Sequence, residues 1–288
     1  MTIVNKKTFN EKIFSNIRKL ITEYNLIEEG DLIAIALSGG KDSVLTLHAL
    51  SYFKNNEEFI DFDIAAISVD EGIKNYRNHG IETARKTTKK LGVKYIEKSF
   101  KEEFGYALDD IYHYFKSACI PCGVFRRNIL NKTAYEIGAD KIATGHNMDD
   151  EIQSYLMTFS RADILKFSKF GPISDKIHPK LVPRIKPLWD ISEKNVGTWV
   201  VINEIPVHLD ECPYSSFSLR GKTKTFLNQI ESDYSGTKQN IMNSFKEIFN
   251  IKPNNTIPKD CGRCGEPSSS NTCMSCKIKD FIEKNQFK

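Results

Sequence analysis

Apolar and polar positions follow two rhythms along this chain. From Phe9 to Tyr24 the residues Ile13, Ile17, Leu20, Ile21 and Tyr24 recur at helical spacing, which predicts an amphipathic helix with one buried stripe. Leu32 to Leu37 is instead an unbroken apolar run closed by a glycine pair, the pattern of a central strand covered on both faces. Val44, Leu45, Leu47, Leu50 and Phe53 then continue as a buried helix. After the polar turn from Asn55 to Asp61 comes a second strand, Ile64 to Val69, ending in Asp70-Glu71-Gly72. A helix from Tyr76 to Leu91, a strand from Val93 to Glu97, a helix around Phe104 to Phe115 and a Cys-x-x-Cys leading into a helix to Ile137 follow. Lys141 to Thr144 reads as a fourth strand. This βαβ repetition predicts an α/β fold with a parallel sheet, which places ligands at the carboxyl ends of its strands.

Beyond Arg161, Pro172, Pro179, Pro183 and Pro187 interrupt any long element and predict an irregular stretch with a short strand. Helices are predicted over Ser192 to Asn203 and Thr223 to Phe249. After Pro253 the chain turns to Pro, Asn, Gly and Ser punctuated by cysteines, a separate module. The expected division is an N-terminal helical segment (1–30), a catalytic domain (31–210), a helical extension (211–252) and a cysteine module (253–288).

With 288 residues the chain has room for one large and one small domain, at about 100–200 residues each. No run approaches the ~18 apolar residues of a membrane span, and the first residues lack the apolar core of a secretion signal, so a cytoplasmic protein with no membrane partner is expected. The net charge of +4 is too small to identify a nucleic-acid binder. Its distribution is uneven, however: Arg161 to Asp190 holds seven Lys or Arg against three Asp, and Cys212 to Ile230 holds three basic residues and no acid. These face phosphates or are simply solvated.

The run Ser38-Gly-Gly-Lys-Asp-Ser43 follows the first strand directly. Its glycines permit close backbone approach to a ligand, and Ser43 can open a helix whose N-terminus attracts anions. It is not a Walker A loop, since Asp42 follows Lys41 and Ile35 stands where a glycine is needed. Nor does a third glycine complete a dinucleotide fingerprint. It looks like the PP-loop of ATP pyrophosphatases, which split ATP into AMP and pyrophosphate, the alternative being an ordinary tight turn.

The seven cysteines form three Cys-x-x-Cys pairs plus one. Cys261, Cys264, Cys273 and Cys276 suit a closed tetrahedral Zn²⁺ site, which would stabilise a tail too poor in apolar residues to fold alone; an iron–sulfur site is the lesser alternative. Cys119, Cys122 and Cys212 must meet through the fold. Three thiolates leave one iron of a [4Fe–4S] cluster open for an exogenous ligand such as hydrosulfide. A redox dithiol, or a zinc site completed by His146 or His208, fits the spacing equally.

Five stretches together resemble the tRNA 2-thiolation enzymes of the TtcA/TtuA group: the Ser38 to Ser43 loop, Val69-Asp-Glu-Gly-Ile73, Cys119-x-x-Cys-Gly-Val-Phe-Arg-Arg127, Thr144-Gly-His-Asn-x-Asp-Asp-Glu151 and Pro206-Val-His-Leu-Asp-Glu-Cys-Pro-Tyr214. The cysteine-rich tail resembles the TtuA-like branch. Members of that branch commonly begin with a second zinc module, whereas Met1 to Gly30 contains no cysteine. The resemblance implies an adenine nucleotide α-hydrolase-like, Rossmann-like domain with a small zinc ribbon. It further implies that Ala36, Ser38, Gly39, Gly40, Lys41, Asp42, Ser43, Ser68, Arg126 and Gly145 touch ATP, that Asp42, Arg126 and Asp150 act in catalysis, and that Cys119, Cys122 and Cys212 hold a [4Fe–4S] cluster. The implied activity adenylates O2 of a tRNA uracil, with Mg²⁺, and then transfers sulfur to C2. The implied partners are tRNA and a sulfur donor (sulfide or a ubiquitin-like thiocarboxylate protein), with a homodimer as the alternative to a single chain. Rival readings are a cluster-free amidotransferase or lysidine synthetase-like enzyme, a desulfidase of thiolated bases, and a zinc-bearing RNA-binding module.

Overall fold

The structure, a computed structural model, describes residues 5–163, 170–215, 219–250, 259–263, 267–268 and 270–272. Chain contacts divide it into two units, Met1–Gln239 and Asn240–Lys288.

The first unit is built on a five-stranded sheet of order β3-β2-β1-β4-β5, parallel throughout. Its strands are β1 (Leu32–Ala36), β2 (Asp63–Asp70), β3 (Lys94–Ser99), β4 (Lys141–Ala143) and β5 (Arg184–Ile185). The chain moves outward from β1 through β2 to β3, then returns to lay β4 on the other side of β1. That reversal opens a crevice beyond the carboxyl ends of β1 and β4, where open α/β sheets bind ligands. Ile33, Ala34 and Ile35 of β1 are fully buried, as a strand covered on both faces requires.

Helix α1 (Lys6–Glu23) buries Ile13, Ile17, Leu20 and Ile21, while Asn5 caps it through bonds from Lys7 N and Thr8 N. Helix α2 (Lys41–Lys54) buries Val44, Leu45, Leu47, Ala49, Leu50 and Phe53, because the sheet, α3 (Arg77–Leu91) and α8 (Glu193–Asn203) all pack on it.

Three expectations need correction. The helix expected around Phe104 to Phe115 is two short pieces, α4 (Phe100–Phe104) and α5 (Leu108–Ile111), followed by a single 3₁₀ turn. Each piece has its own N-terminal cap, with Ser99 bonded to Glu102 N and Asp110 to Ala107 N, so two local starts replace one continuous helix. Second, α6 (Cys119–Glu136) begins at the first cysteine rather than after the pair. Pro121 falls in the first turn, where a missing N–H breaks no helical bond. Third, Thr223 to Phe249 is broken into α9 (Leu219–Asp233) and α10 (Thr237–Asn250) by a turn at Ser235-Gly236. Helix α7 (Met148–Phe159) completes the first unit, capped by Asn147.

In the second unit β6 (Lys259–Asp260) pairs antiparallel with β7 (Pro267–Ser268), and Cys261 beside them is buried. Cys264, Cys273 and Cys276, the other three ligands expected of the zinc ribbon, lie outside the described residues. No helix among the described residues is long and apolar enough to cross a membrane.

Burial of His48 on α2, against Trp199 at 5.3 Å and near Lys90, lowers its pKa to about 4. Between pH 6.5 and about 4 the unfolded chain therefore takes up a proton that the folded chain refuses. This contribution to stability is complete above pH 6.5 and is lost as the pH falls toward 4. Thermal melting is expected to drop across that window, and less so in His48→Gln.

Candidate active site

Two glycine-containing turns face each other across the crevice. The first, Ser38 to Ser43, joins β1 to α2. Ser38 N donates to Ser43 Oγ at 3.1 Å, Ser43 Oγ bonds Gly40 O at 3.0 Å, and the two serine hydroxyls lie 3.0 Å apart. The second, Gly145-His146, follows β4. A Cβ on Gly145 would stand 2.7 Å from Ser43 N, so only a bare residue lets β4 deliver its turn against the first turn of α2. His208 N donates to Gly39 O at 2.9 Å and ties a third segment to the same loop.

Between them lies a pocket of about 310 Å³. Ala36, Ser38, Gly40, Asp42, Ser43, Arg126 and Gly145, all expected at a nucleotide, line it. Gly39, Lys41, Ser68 and Asp150 stand outside its wall. Ser68 is fully buried behind the loop and donates to Leu37 O. Lys41 reaches Asp42 at 2.9 Å and Glu193 at 3.0 Å. Burial alone would lower its pKa, but the two carboxylates outweigh that and raise it. Asp42 is held from its other side by Asn147 Nδ2 at 2.8 Å. Asp150 accepts from Asn147 N and from Arg220 at 3.2 Å; desolvation raises its pKa, opposed by Arg220.

Several of these groups were not foreseen as site residues. Glu71, buried at the end of β2, ion-pairs Arg77 at 2.8 Å and Arg126 at 3.6 Å. Arg77 in turn donates to Val69 O at 2.8 Å and to Ser38 O at 2.7 Å, which links the loop to Arg126 through one buried carboxylate. Arg127 and Arg184 join Arg126 on the wall. Arg220 and Lys224, from the acid-free basic stretch Cys212 to Ile230, belong to α9 and pair with Asp150 and Glu193. Their signal was a basic residue at each helical turn, which does not reveal the partner.

The fold gathers the three separate cysteines. Cys122 and Cys212 pack on one apolar cluster with Val69, Ile73 and Phe100, and Cys119 starts α6 one turn from Cys122. Burial pushes the Cys122 thiol up to about 11 and also raises Cys212, which feels Cys119 and Glu71 as well. Among the described residues no three His, Cys, Asp or Glu side chains converge on a point where one metal ion could sit. His146 instead hydrogen-bonds Thr144 at 2.8 Å, and His208 packs against Tyr76 and His79. Among the described residues neither histidine forms a three-residue group with the cysteines. A cluster ligates each thiolate through a different iron, so its ligands need not converge, and this donor set fits one.

A parallel sheet whose switch point opens on a Ser-Gly-Gly-Lys-Asp-Ser loop defines a PP-loop nucleotide-binding protein, and residues 9–227 match the PP-loop domain family. The tRNA 2-thiolation protein NcsA of Haloferax volcanii is 32% identical, covering 96% of this chain and 92% of that one. The tRNA-5-methyluridine(54) 2-sulfurtransferase of Pyrococcus horikoshii is 30% identical over 97% of this chain and 88% of its own. Among solved structures, the U34-tRNA thiolase NcsA from Methanococcus maripaludis with its [4Fe-4S] cluster superposes with a TM-score of 0.75 at 31% identity, covering 97% of this chain and 89% of that one. The chain belongs to the PP-loop family of tRNA 2-thiolation proteins.

Proposed function

We propose that the protein is an ATP-dependent tRNA-uridine 2-sulfurtransferase. The observation that carries this reading is the placement of three cysteines beside the pocket that the PP-loop lines, with Arg126 common to both. A cluster-free amidating enzyme of the same fold has no use for them.

The triphosphate of ATP lies at the N-terminus of α2, where first-turn amides lack helical partners. Lys41 balances the charge of the departing pyrophosphate, with Mg²⁺ brought in by the nucleotide. Asp42 holds Lys41 in place, is pinned by Asn147, and would be the carboxylate that holds that metal. Arg126, half exposed at the wall, steadies the α-phosphate. O2 of the uracil attacks that phosphorus, pyrophosphate leaves, and C2 now carries AMP as a leaving group. Hydrosulfide adds at C2 and AMP departs, giving 2-thiouridine, AMP and pyrophosphate. Asp150, with its pKa raised, takes the proton released as the C=S bond forms. Cys119, Cys122 and Cys212 would hold the [4Fe–4S] cluster, which when bound would supply an iron open to a sulfur ligand. Sulfide or a ubiquitin-like thiocarboxylate protein is the donor. These residues fall within or just beyond 31–210, and Cys261, Cys264, Cys273 and Cys276 hold Zn²⁺ in the tail.

The test is an anaerobic reaction of the iron-loaded protein with ATP, Mg²⁺, sulfide and unmodified tRNA, followed by nucleoside mass spectrometry mapped to position. Equal amounts of pyrophosphate and thiolated uridine are expected. Pyrophosphate with a nitrogen-modified base, or thiolation without ATP, would overturn the reading.

A further inference from the structure

A line of aromatic rings runs from the cysteines to the solvent. Tyr214, two residues after Cys212, is fixed by its hydroxyl bond to Asp109 at 2.8 Å. Tyr112 lies against it at 4.7 Å, His113 follows at 5.9 Å, and Tyr114 packs on His113 at 4.0 Å. Tyr112 is already 39% exposed, while Tyr214 is partly buried and belongs to the fold. The outer rings do not: Tyr114 is 77% exposed, and Phe115 next to it 44%. Exposed rings contribute little to stability, and nothing in their packing accounts for them. Lys116 follows in the chain, and Arg126 and Arg127 lie about two turns along α6 from Cys119. The nearby acids are engaged, Asp109 by Tyr214 and Lys74 N, Asp110 by Ala107 N.

Exposed rings followed directly by a lysine suit unpaired RNA, whose bases stack on aromatic faces while phosphates meet the cation. Resting on the tRNA reading above, we propose that Tyr114 and His113 form a stacking platform for unpaired loop nucleotides next to the target uridine. The enzyme thereby selects a hairpin loop and delivers one splayed base past Tyr112 to the cysteines. Double-stranded RNA, with its bases inside, would gain nothing from these rings.

The iron-loaded full-length protein would be titrated with RNA hairpins carrying 2-aminopurine beside a loop uridine, and with a duplex of equal length. Tighter hairpin binding with quenched fluorescence is expected. Tyr114→Ala should weaken the hairpin roughly five- to a hundredfold and abolish the quench, leaving duplex binding, melting temperature and ATP affinity unchanged. Tyr114→Trp should restore both. Unaltered hairpin binding and quench in Tyr114→Ala would overturn the platform while leaving the tRNA reading intact. A change in oligomeric state without one in RNA binding would overturn it too, making the rings a contact between copies. Failure of the unaltered protein to bind any hairpin or tRNA would instead sink the tRNA reading, and the platform with it.

Discussion

Gly39→Ala is expected to cost the protein its nucleotide site and much of its stability. Gly39 sits at φ +83°, in the left-handed region where a side chain costs about 1–3 kcal/mol. The larger effect is steric. A Cβ at this position would stand 2.1 Å from the carbonyl oxygen of Gly80 on α3, a backbone atom that cannot rotate away. The reverse contact is equally closed, since a Cβ on Gly80 would meet Ser38 O at 2.6 Å. Helix α3 would have to withdraw, and Arg77, which donates to Ser38 O from that helix, would withdraw with it. A loss on the order of 3–5 kcal/mol follows from the backbone strain and the overpacking together, each about 1–3 kcal/mol. Melting and ATP-binding measurements on Gly39→Ala and Gly80→Ala check this. Gly92→Ala is the control, since Gly92 also has positive φ (+66°) but open space around its Cα, and about 1 kcal/mol is expected there. Equal losses at Gly39 and Gly92 would show that backbone angle alone matters.

The same loop shows why some of this molecule can be read from its sequence. The strands β1, β2 and β4 occur where the apolar runs place them, because a strand buried on both faces must be continuously apolar and its neighbours on the chain are polar turns, whereas the edge strand β3 is largely polar. The loop was legible because the requirements are local: glycine, a cation and a helix start in consecutive positions. Its supports were not. Lys41 meets Glu193 across 152 residues, and Asn147 meets Asp42 across 105. Polar residues on distant helices carry no mark of their partner. Glu71 was visible at the end of β2, but its role depends on Arg77 and Arg126 arriving from two other helices. The short helices around Tyr106 misled for the opposite reason, since their caps are single residues inside a stretch of continuous helical spacing.

Cys122→Ser and Cys212→Ser are each expected to abolish sulfur transfer while leaving a folded, ATP-binding protein. The fold tolerates the exchange, for both side chains are small and stand at the edge of the apolar cluster rather than in its centre. On the proposed cluster assignment function does not, because a serine hydroxyl is a poor iron ligand and removing one member of a three-ligand set leaves two. Iron and sulfide content should fall, the visible absorption should go with it, and thiolation should drop on the order of a thousandfold or more, as when one member of a catalytic unit is deleted. The alternative use of these residues, as a redox dithiol, predicts a different outcome. A dithiol attacks through a low-pKa thiolate, whereas burial raises both Cys122 and Cys212. Thiols of that kind stay protonated near neutral pH unless a metal holds them. A dithiol would also need only Cys119 and Cys122, so Cys212→Ser would leave turnover intact and iron would be irrelevant. Thiolation that survives in an iron-free Cys212→Ser protein therefore decides for the dithiol, and its loss together with the iron decides for the three-cysteine cluster.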